Sequence, residues 1–505
     1  MSVVEDQGRG VQFSSIEGRR SSQRAGRSAF ADAVASVHPS LSRSIEGTKD
    51  WRKNYIRSLR GVTVASAASA KNALTIASDG LDSVHQNLVY TSNSEDRQLR
   101  EVFRSTRQHS FHTVVVDGRG ERVTRLEVPY RGQRLSQDTL MRQLDLWERR
   151  GVMESSAVEA LRLVNENPEW LDLSDRYFVL LGAASEMGPL EALCTWGANV
   201  VAVDLPHRHV WDRIIEAARA GSGRVTVPVR VETNDLDSLR ANAGLDLLTE
   251  GPQAKAWLQG FDRSFTIGNY AYADGVDFVR LAAAVDALIV ELLEANRTTS
   301  LAYLATPTDV FAVSQDIIEA ANRRRSRSML RRSLGAVTAS RLYAPNYSQT
   351  IDGEGGRTWG FSDCLVPIQG ANYALAKWIQ RWRAMLARED GSLSSANVAP
   401  ATNTRSVVKN RMLAAAYLGA PSFGVEIFDP ATSRAVMAAL LAHDIRNPKA
   451  TANPTTQLEH PFDVFVENAI HGGIWQLPYE PRSVLPLALL LGMVKRPNRA
   501  RGRKK

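Results

Sequence analysis

The segment from Tyr177 to Asp204 constrains the fold of this chain more than any other. It opens with the apolar run Tyr177-Phe-Val-Leu-Leu181, continues through a glycine-containing turn and a short helical stretch, and reaches a second apolar run, Asn199-Val-Val-Ala-Val203, directly before Asp204. Short apolar runs separated by a helix are typical of parallel strands joined by a crossover. The segment therefore predicts the first βαβ unit of a parallel sheet.

The same alternation of strands and helices continues to residue 305. Helices are predicted at 189–195, 211–220, 235–243 and 278–295, and further strands at 225–231, 245–248 and 300–305. This rhythm predicts an α/β fold, a Rossmann-type doubly wound parallel sheet with helices on both faces. The chain before residue 176 is mainly helical in pattern, with a β-hairpin predicted from Thr113 to Val128 around the turn Asp117-Gly118.

Composition changes divide the chain into four predicted parts. Overall, 44% of residues are apolar and 23% are charged, as in an ordinary globular protein. The polar, Ser- and Arg-rich start has little periodicity and is predicted to be disordered. The parts are a disordered basic N-terminus (1–50), a helical region with a β-hairpin (51–175), a Rossmann-type domain (176–494) with an insertion at about 309–365, and a basic tail (495–505).

The turn after the first predicted strand, Gly182-Ala-Ala-Ser-Glu-Met-Gly188, has the features of a dinucleotide-binding loop. Gly182 lets the chain turn at the strand end, and Gly188 lets the next helix approach the sheet or a pyrophosphate, which the free N–H groups of a helix start can bind. Asp204 can accept hydrogen bonds from ribose hydroxyls, which favours NAD over NADP, although the nearby Arg208 weakens that preference. The candidate cofactor-binding residues here are Gly182, Ala184, Ser185, Met187, Gly188 and Asp204. A glycine turn that binds nothing is the alternative.

Three motifs resemble the short-chain dehydrogenase/reductase family over about residues 176–440. Gly182 and Gly188 match the first and third glycines of its Gly-x-x-x-Gly-x-Gly turn, with Glu186 in the middle position. Tyr373-Ala-Leu-Ala-Lys377 matches its Tyr-x-x-x-Lys motif. The segment from Ser395 to Pro400 is similar to the strand and Pro-Gly turn that follow this motif, with alanine in place of the glycine.

The resemblance implies an NAD(P)-dependent oxidoreductase that transfers a hydride at an alcohol or carbonyl. Tyr373 would be the general acid/base, and Lys377, four residues later on the same helix face, would lower the pKa of the phenol. Pro400 would lie beside the cofactor. The family's catalytic serine would be replaced by Thr306, at the end of the fifth predicted strand, or by Ser362, shortly before Tyr373.

The sequence departs from the family pattern after the predicted fourth strand. Thr249-Glu-Gly-Pro252 stands where the family has Asn-Asn-Ala-Gly. Two other classes therefore stay open. An S-adenosylmethionine-dependent methyltransferase also begins with strand, glycine turn, helix, strand and acid, but it leaves Tyr373, Lys377 and Pro400 unexplained. A non-catalytic Rossmann scaffold would account for the missing motifs.

The positive charge is concentrated in the C-terminal tail. The net charge is +8, and Lys495 to Lys505 contains seven basic residues and no acidic one, so the remaining chain carries about +1. A specific nucleic-acid partner is therefore not predicted. A solvated tail is the preferred interpretation, with weak membrane-surface contact as the alternative. The apolar run Val484 to Val494 is too short to span a bilayer and is interpreted as a buried element, with attachment to a membrane surface as the alternative.

The remaining features concern compartment, metals and partners. Cys194 and Cys364, the two cysteines, predict a reducing compartment, and the Ser- and Arg-rich start lacks the apolar core of a signal peptide, so a cytoplasmic location is expected. The spacing of the histidines supplies no ligand set, and no metal site is predicted. A small-molecule substrate is expected, and homo-oligomers are compatible with the sequence.

Overall fold

The N-terminal region is a layer of helices bordered by a small antiparallel sheet. The computed structural model describes residues 8–233, 235–327, 333, 335–338 and 341–495. The first elements are β1 (Gly10–Phe13), β2 (Ser15–Ile16), β3 (Arg19–Arg20), α1 (Ser22–Ala35), α2 (Pro39–Glu46), α3 (Trp51–Ala67), α4 (Ala70–Asn87), β4 (Leu88–Ser92), β5 (Glu95–Gln98) and α5 (Leu99–Ser105). Strand β4 lies between β1 and β5 and is antiparallel to both.

The predicted disorder of residues 1–50 is wrong for the part from Gly10 to Glu46, which forms strands and two helices. Helix α1 buries Ala29, Phe30 and Val34 completely, and the Phe30 ring lies 5.3 Å from the ring of Trp378. Its buried face consists largely of alanines. Alanine differs little from serine in hydrophobicity, so the helical period is hard to see in the sequence. Residues 1–7 lie outside the described residues.

The hairpin predicted from Thr113 to Val128 is also wrong. The next elements are β6 (His112–Asp117), β7 (Val128–Tyr130), β8 (Gln133–Leu135), α6 (Gln137–Arg149) and α7 (Ser155–Glu166). Strand β6 joins the central sheet, and the hairpin pairs β7 with β8 through Arg131 and Gly132, which both have positive φ. Gly118 does not form the turn of a hairpin. Its backbone N–H donates to the Gly223 carbonyl oxygen, where the chain passes the edge of the central sheet.

The rest of the chain contains the central sheet and its covering helices. The elements up to the fifth parallel strand are β9 (Tyr177–Leu181), α8 (Leu190–Thr195), β10 (Asn199–Val203), α9 (Arg208–Ala220), β11 (Arg224–Val229), α10 (Leu236–Asn242), α11 (Leu247–Gln259), β12 (Thr266–Asn269), α12 (Val276–Ala295) and β13 (Ser300–Tyr303). The remaining elements are β14 (Val310–Val313), α13 (Gln315–Ser326), β15 (Thr350–Asp352), β16 (Thr358–Asp363), α14 (Ala371–Glu389), β17 (Ser394–Ser395), α15 (Arg405–Lys409), α16 (Arg411–Gly419), α17 (Pro430–Arg446), α18 (Asp463–Val466) and α19 (Pro481–Lys495). Short 3₁₀ turns cover Pro168–Leu171, Glu354–Gly356, Pro367–Gln369 and Ala420–Phe423.

The central sheet has seven strands in the order β17-β13-β12-β9-β10-β11-β6. Every pairing from β17 to β11 is parallel, and β6 adds an antiparallel edge beside β11. Numbered along the chain, the six parallel strands have the order 3-2-1-4-5-6 of a Rossmann-type sheet. The predicted α/β fold is thus confirmed. The order reverses between β9 and β12, which is where ligands bind in sheets of this kind.

The fourth parallel strand is not the predicted segment Leu245 to Leu248. Leu247 begins helix α11, and the fourth strand is β12, which ends at Asn269. The other strands and the helices predicted between 177 and 305 are confirmed within a few residues. A strand ending at residue 248 would have left a loop of more than twenty residues before α12, and such long structureless loops are uncommon inside a compact domain.

Each face of the sheet is covered by its own group of helices. Alternate residues of β9 point to opposite faces, so Val179 and Leu181 pack on one side while Phe178 and Leu180 pack on the other. The first side is covered by α1, α3, α4, α5, α11, α12 and α14, and the second by α6, α7, α8, α9 and α17. Strands β14, β16 and β15 form a separate antiparallel sheet within the segment 309–365.

The expectation that Val484 to Val494 is a buried element is wrong for much of its surface. Helix α19 buries Val484, Ala488 and Gly492, which form one stripe against α16. A Cβ atom on Gly492 would lie 1.8 Å from the Ala415 carbonyl oxygen, so glycine is what allows this close packing. Among the described residues, no helix is long and apolar enough to cross a membrane. The tail after Lys495 lies outside the described residues.

Candidate functional site

A large cleft opens at the carboxyl ends of the parallel strands. Its volume is about 1140 Å³, and its lining includes the residues that follow or end five of the six strands. These are Gly182 after β9, Asp204 after β10, Asn269 at the end of β12, Thr306 after β13 and Pro400 after β17. Because parallel strands end at the same edge, the fold brings together residues that are more than 200 positions apart.

Gly182 is required by the geometry of the turn after β9. Its φ is +78°, and a Cβ atom there would lie 2.7 Å from the Cα atom of Ala271, so both conformation and space demand glycine. Gly188 is different: a Cβ atom would be 3.4 Å from the Ser185 carbonyl oxygen, and Gly188 does not line the cleft. The two glycines of the predicted motif therefore have unequal roles in this structure.

The backbone N–H groups of this turn are largely occupied by hydrogen bonds. Those that donate within the turn or to the end of β10 belong to Gly182, Ala183, Ala184, Ser185 and Gly188. The N–H groups of Glu186 and Met187 make no hydrogen bond within the described part of the chain. Helix α8 starts after Pro189 and has only six residues. The N–H groups available to an anion therefore belong to the turn itself. They precede the helix start that the sequence suggested as the anion site.

Asp204 holds the turn against the second strand. Its Oδ2 atom accepts the N–H of Ala184 at 2.8 Å, and its Oδ1 atom accepts the N–H of Leu205 at 2.8 Å. Burial raises the pKa of the carboxyl group, and the two backbone N–H groups and Arg213 act in the opposite direction. Each carboxylate oxygen can accept a second hydrogen bond, so ribose hydroxyls could still bind. Arg208 is paired with Asp237 at 3.0 Å and does not line the cleft, whereas Arg213 does.

Asn269 is a site residue that the sequence reasoning missed. With β12 as the fourth strand, Asn269-Tyr-Ala-Tyr272 occupies the position that was assigned above to Thr249–Pro252. The Asn269 side chain is 5% exposed and lines the cleft, and its Oδ1 atom has no hydrogen-bond partner among the described residues. A buried polar atom without a partner is uncommon in proteins. The length of the connection to α12 was the signal that could have located this strand.

Tyr373 and Thr306 both line the cleft. The Thr306 side chain is close enough to the phenol of Tyr373 to lower its pKa, although 67 positions separate the two residues in the sequence. Burial raises the pKa of Tyr373 to about 12; the negative charge of Asp309 also raises it, and the Thr306 side chain lowers it. Lys377 is not among the groups that shift this pKa, and burial raises the pKa where a lowering by the ammonium was expected.

Lys377 lies one helical turn after Tyr373 and also lines the cleft. Its Nζ atom donates to the Leu304 carbonyl oxygen and to the Gln380 Oε1 atom, both at 3.1 Å. Burial lowers the pKa of Lys377 to about 8, and the charge of Asp309 acts in the opposite direction. The ammonium group therefore anchors α14 to the end of the fifth parallel strand and stays predominantly charged at neutral pH.

The two alternative hydroxyl groups predicted from the sequence have separate locations. Ser362 is fully buried in β16, its Oγ atom lies 3.2 Å from the Cys364 Sγ atom, and it does not line the cleft. Thr306 does line the cleft beside Tyr373, so it is the hydroxyl that can reach a substrate there. Pro400 also lines the cleft and follows Ala399, whose N–H donates to the Ala305 carbonyl oxygen.

Comparison with known proteins adds a weak structural similarity. The crystal structure of the terminal R domain from the myxalamid PKS-NRPS biosynthetic pathway aligns with a TM-score of 0.29 and 13% sequence identity, over 52% of this chain and 61% of that chain. The chain thus spans less than two thirds of that domain. No family model matches the sequence, and no curated protein matches it. A similarity this weak supports no functional inference. Function is therefore inferred from the fold and the cleft.

Proposed function

We propose that this protein is an NAD(P)-dependent oxidoreductase that reduces a carbonyl group, with Tyr373 as the proton donor. The observation that carries the proposal is the composition of the cleft. It joins a glycine turn and an acidic residue, Gly182 and Asp204, to Tyr373 and Thr306, at the point where the strand order reverses.

The residues of the cleft fit a nicotinamide dinucleotide. The cleft volume of about 1140 Å³ exceeds that of most small-ligand pockets, which is roughly 300–1,000 Å³, and leaves room for a substrate beside the cofactor. The N–H groups of Glu186 and Met187 can donate to a pyrophosphate, and Asn269 offers an unpartnered oxygen. Asp204 favours an unphosphorylated ribose, whereas Arg213 favours a 2′-phosphate, so NAD and NADP both stay candidates.

The protonation state of Tyr373 favours reduction over oxidation. When bound, the nicotinamide would supply the hydride. Tyr373, with a pKa of about 12, carries its proton at neutral pH and can donate it to a carbonyl oxygen as the charge on that oxygen develops. Thr306 can then donate a hydrogen bond to the phenolate. Lys377 is a positioning residue, because its Nζ atom is bound to the end of the fifth parallel strand and to Gln380.

The walls around Tyr373 favour an apolar carbonyl substrate. The Phe278 ring lies 5.7 Å from the Tyr373 ring and 4.9 Å from the Tyr272 ring, and Tyr270 and Tyr417 also line the cleft. Aromatic walls exclude water from the reacting atoms and bind apolar groups by burial. A small apolar aldehyde or ketone is therefore the proposed substrate class.

A titration of nucleotide fluorescence tests the proposal. Adding the purified protein to NADH or NADPH should shift or quench the nicotinamide emission, and S-adenosylhomocysteine should neither compete nor raise the melting temperature. Stabilisation by S-adenosylhomocysteine without any effect of NADH or NADPH would instead support the methyltransferase alternative. A protein that responds to none of the three would be a scaffold.

A further inference from the structure

The Thr306 hydroxyl belongs to a short chain of hydrogen bonds. The Gln369 Nε2 atom donates to the Thr308 Oγ1 atom at 2.8 Å, and the Oγ1 atoms of Thr308 and Thr306 are 2.9 Å apart. The Thr306 side chain in turn acts on the Tyr373 phenol. Thr308 is 7% exposed and does not line the cleft, whereas Gln369 and Thr306 do. Thr308 and Gln369, which lie outside the motifs of the sequence, are therefore connected to the proposed proton donor.

This chain joins the start of helix α14 to the segment that follows the fifth parallel strand. Gln369 ends the 3₁₀ turn before α14, and Thr308 lies five residues after β13. Lys377 makes a second connection between the same two parts of the fold, through the Leu304 carbonyl oxygen. The two connections lie four residues before and four residues after Tyr373. Tyr373 is thus held between them.

The number of protons gives the chain a direction. A threonine hydroxyl has one proton to donate. Thr308 accepts the Gln369 amide N–H, and the other hydrogen-bond partner of its hydroxyl within the described part of the chain is Thr306, so the Thr308 proton lies between the two threonine oxygens. The Thr306 oxygen also faces the Thr308 backbone N–H at 3.4 Å, which leaves the Thr306 proton for the Tyr373 oxygen. A donor to a phenol oxygen lowers the pKa of the phenol, and the effect of Thr306 on the Tyr373 pKa has this sign.

The direction of the chain decides where the Tyr373 proton points. A phenol that accepts the Thr306 proton does not donate to the same hydroxyl, so its own proton turns to the cleft. In the proposed reaction the carbonyl carbon gains the hydride of the bound nicotinamide, which is oxidised, and the carbonyl oxygen gains the Tyr373 proton. The phenolate that remains accepts the hydrogen bond of Thr306 and then regains a proton from solvent in the cleft.

We propose that Thr308 and Gln369 are positioning residues for proton donation by Tyr373. They orient the Thr306 hydroxyl as a donor to the phenol oxygen, and this orientation directs the Tyr373 proton to the substrate carbonyl. Both residues act through Thr306. Their role in catalysis rests on the proposed function, whereas the orientation of the chain is a property of the protein without nucleotide and can be measured there.

A titration of position 373 tests the orientation. Incorporation of 3-fluorotyrosine at this position gives the phenol its own fluorine NMR signal, whose shift follows ionisation. Thr308→Val removes the hydroxyl at nearly constant volume and should lower the ionisation constant of this phenol about threefold to tenfold, because Thr306 loses the group that orients it. Thr308→Ser should restore the wild-type value. A rise in the ionisation constant for Thr308→Val would mean that the chain runs in the opposite direction, and an unchanged value would mean that Thr308 does not act on Tyr373; either result would overturn the proposal.

A double-mutant cycle tests Gln369. Gln369→Glu replaces the amide donor with an acceptor, which reverses the chain, and should lower the ionisation constant about tenfold. In the Thr308→Val background the same substitution should add little, because the chain is already interrupted. Equal effects in both backgrounds would assign the change to the field of the new charge and overturn the role of Gln369. Gln369 is only partly buried, so Gln369→Glu also tests the proposal if Thr308→Val destabilises the protein.

Turnover separates the failure of this inference from the failure of the proposed function. With a small apolar aldehyde and NADH or NADPH, Thr308→Val should lower turnover about threefold to tenfold at unchanged nucleotide affinity, and Thr308→Ser should restore it. Thr63→Val is the matched control, because it removes a fully buried hydroxyl that donates to the Leu59 carbonyl oxygen within α3, and it should change neither turnover nor the ionisation constant. Wild-type turnover in Thr308→Val, combined with its loss in Tyr373→Phe, would overturn the inference and leave the proposed function standing. The predicted ionisation shifts in a protein that reduces no carbonyl would support the orientation of the chain and contradict the proposed function.

Discussion

The two halves of the cleft are built in different ways. In the turn half, formed by Gly182, Asp204 and Asn269, backbone geometry and hydrogen bonds to backbone N–H groups determine the shape. The tyrosine half is formed by Thr306, Tyr373 and Lys377. There, burial of side chains determines the chemistry, because it raises the pKa of Tyr373 and lowers the pKa of Lys377. Backbone conformation thus determines the turn half, and burial from water determines the tyrosine half.

This difference has a consequence for mutations. A substitution in the turn half should act first on stability and nucleotide affinity, because it strains the backbone or removes a hydrogen-bond acceptor. A substitution in the tyrosine half should act first on turnover or on the pH dependence of stability, because it removes a proton donor or a desolvated charge. Four variants test this division, in order of decreasing expected effect.

Tyr373→Phe should have the largest effect. Loss of a general acid lowers turnover by about 10²- to 10⁴-fold, while NADH and NADPH affinity should stay within about twofold of the wild type. Oxidation of NADPH or NADH in the presence of small apolar aldehydes and ketones measures the first quantity, and fluorescence titration the second. The control is Tyr417→Phe, which removes the hydroxyl of another tyrosine in the cleft and should leave turnover within a few-fold. Equal turnover losses in the two variants would remove Tyr373 from its proposed role.

Gly182→Ala should destabilise the protein by about 2–4 kcal/mol, because it adds strain at positive φ to a clash with the Ala271 backbone. Denaturant unfolding measures this change, and nucleotide binding should weaken with it. Gly188→Ala introduces the same methyl group where the nearest atom is 3.4 Å away, and it should cost less than about 1 kcal/mol. Similar losses for both variants would contradict the unequal roles of the two glycines.

Lys377→Met should change how stability depends on pH. The pKa of Lys377 is lowered from 10.5 to about 8 in the folded state, so between these values the unfolded chain binds more protons. The wild type should therefore gain stability, relative to Lys377→Met, by about 2 kcal/mol as the pH rises from about 7.5 to 10. Urea unfolding of both proteins across this range measures the gain. Parallel curves would show that the Lys377 ammonium is as well solvated as in the unfolded chain.

Asp204→Asn should have the smallest effect. The amide keeps one acceptor for a backbone N–H but loses the charge that strengthens hydrogen bonds to ribose hydroxyls, so NADH affinity should fall about tenfold, or ~1.4 kcal/mol. Fluorescence titration checks this value. Asp237→Asn removes an exposed carboxylate that is paired with Arg208 outside the cleft, and it should leave the affinity unchanged. An unchanged affinity for Asp204→Asn would exclude the carboxylate from nucleotide binding.

The sequence predicted what local patterns encode. The strands at 177–181 and 199–203 and the turn at Gly182 follow from apolar periodicity and glycine placement, and the structure contains them. The helix that carries Tyr373 was implied by the family resemblance, and the structure contains it as well. The fourth strand was assigned wrongly because Leu245-Asp-Leu-Leu248 has the composition of a strand, while its true role is to begin α11. Local composition could not decide between the two; the length of the connection to α12 could.

The chemistry of the tyrosine half was less accessible from the sequence. Tyr373 and Lys377 lie on one helix and both line the cleft, but the Tyr-x-x-x-Lys spacing does not report burial, which raises the pKa of Tyr373. The choice between Thr306 and Ser362 also required the structure, because a separate sheet intervenes and carries Ser362 away from the cleft. Burial depends on contacts from distant parts of the chain, so no local motif encodes it.

The most direct test of the account is a crystal structure of the protein with NADH or NADPH. The pyrophosphate is predicted to lie about 3 Å from the N–H groups of Glu186 and Met187, with the nicotinamide ring in the tyrosine half beside Tyr373 and Thr306. A dinucleotide whose nicotinamide lies outside the cleft, or crystals that take up neither nucleotide at saturating concentration, would contradict the claim that the two halves form one active site.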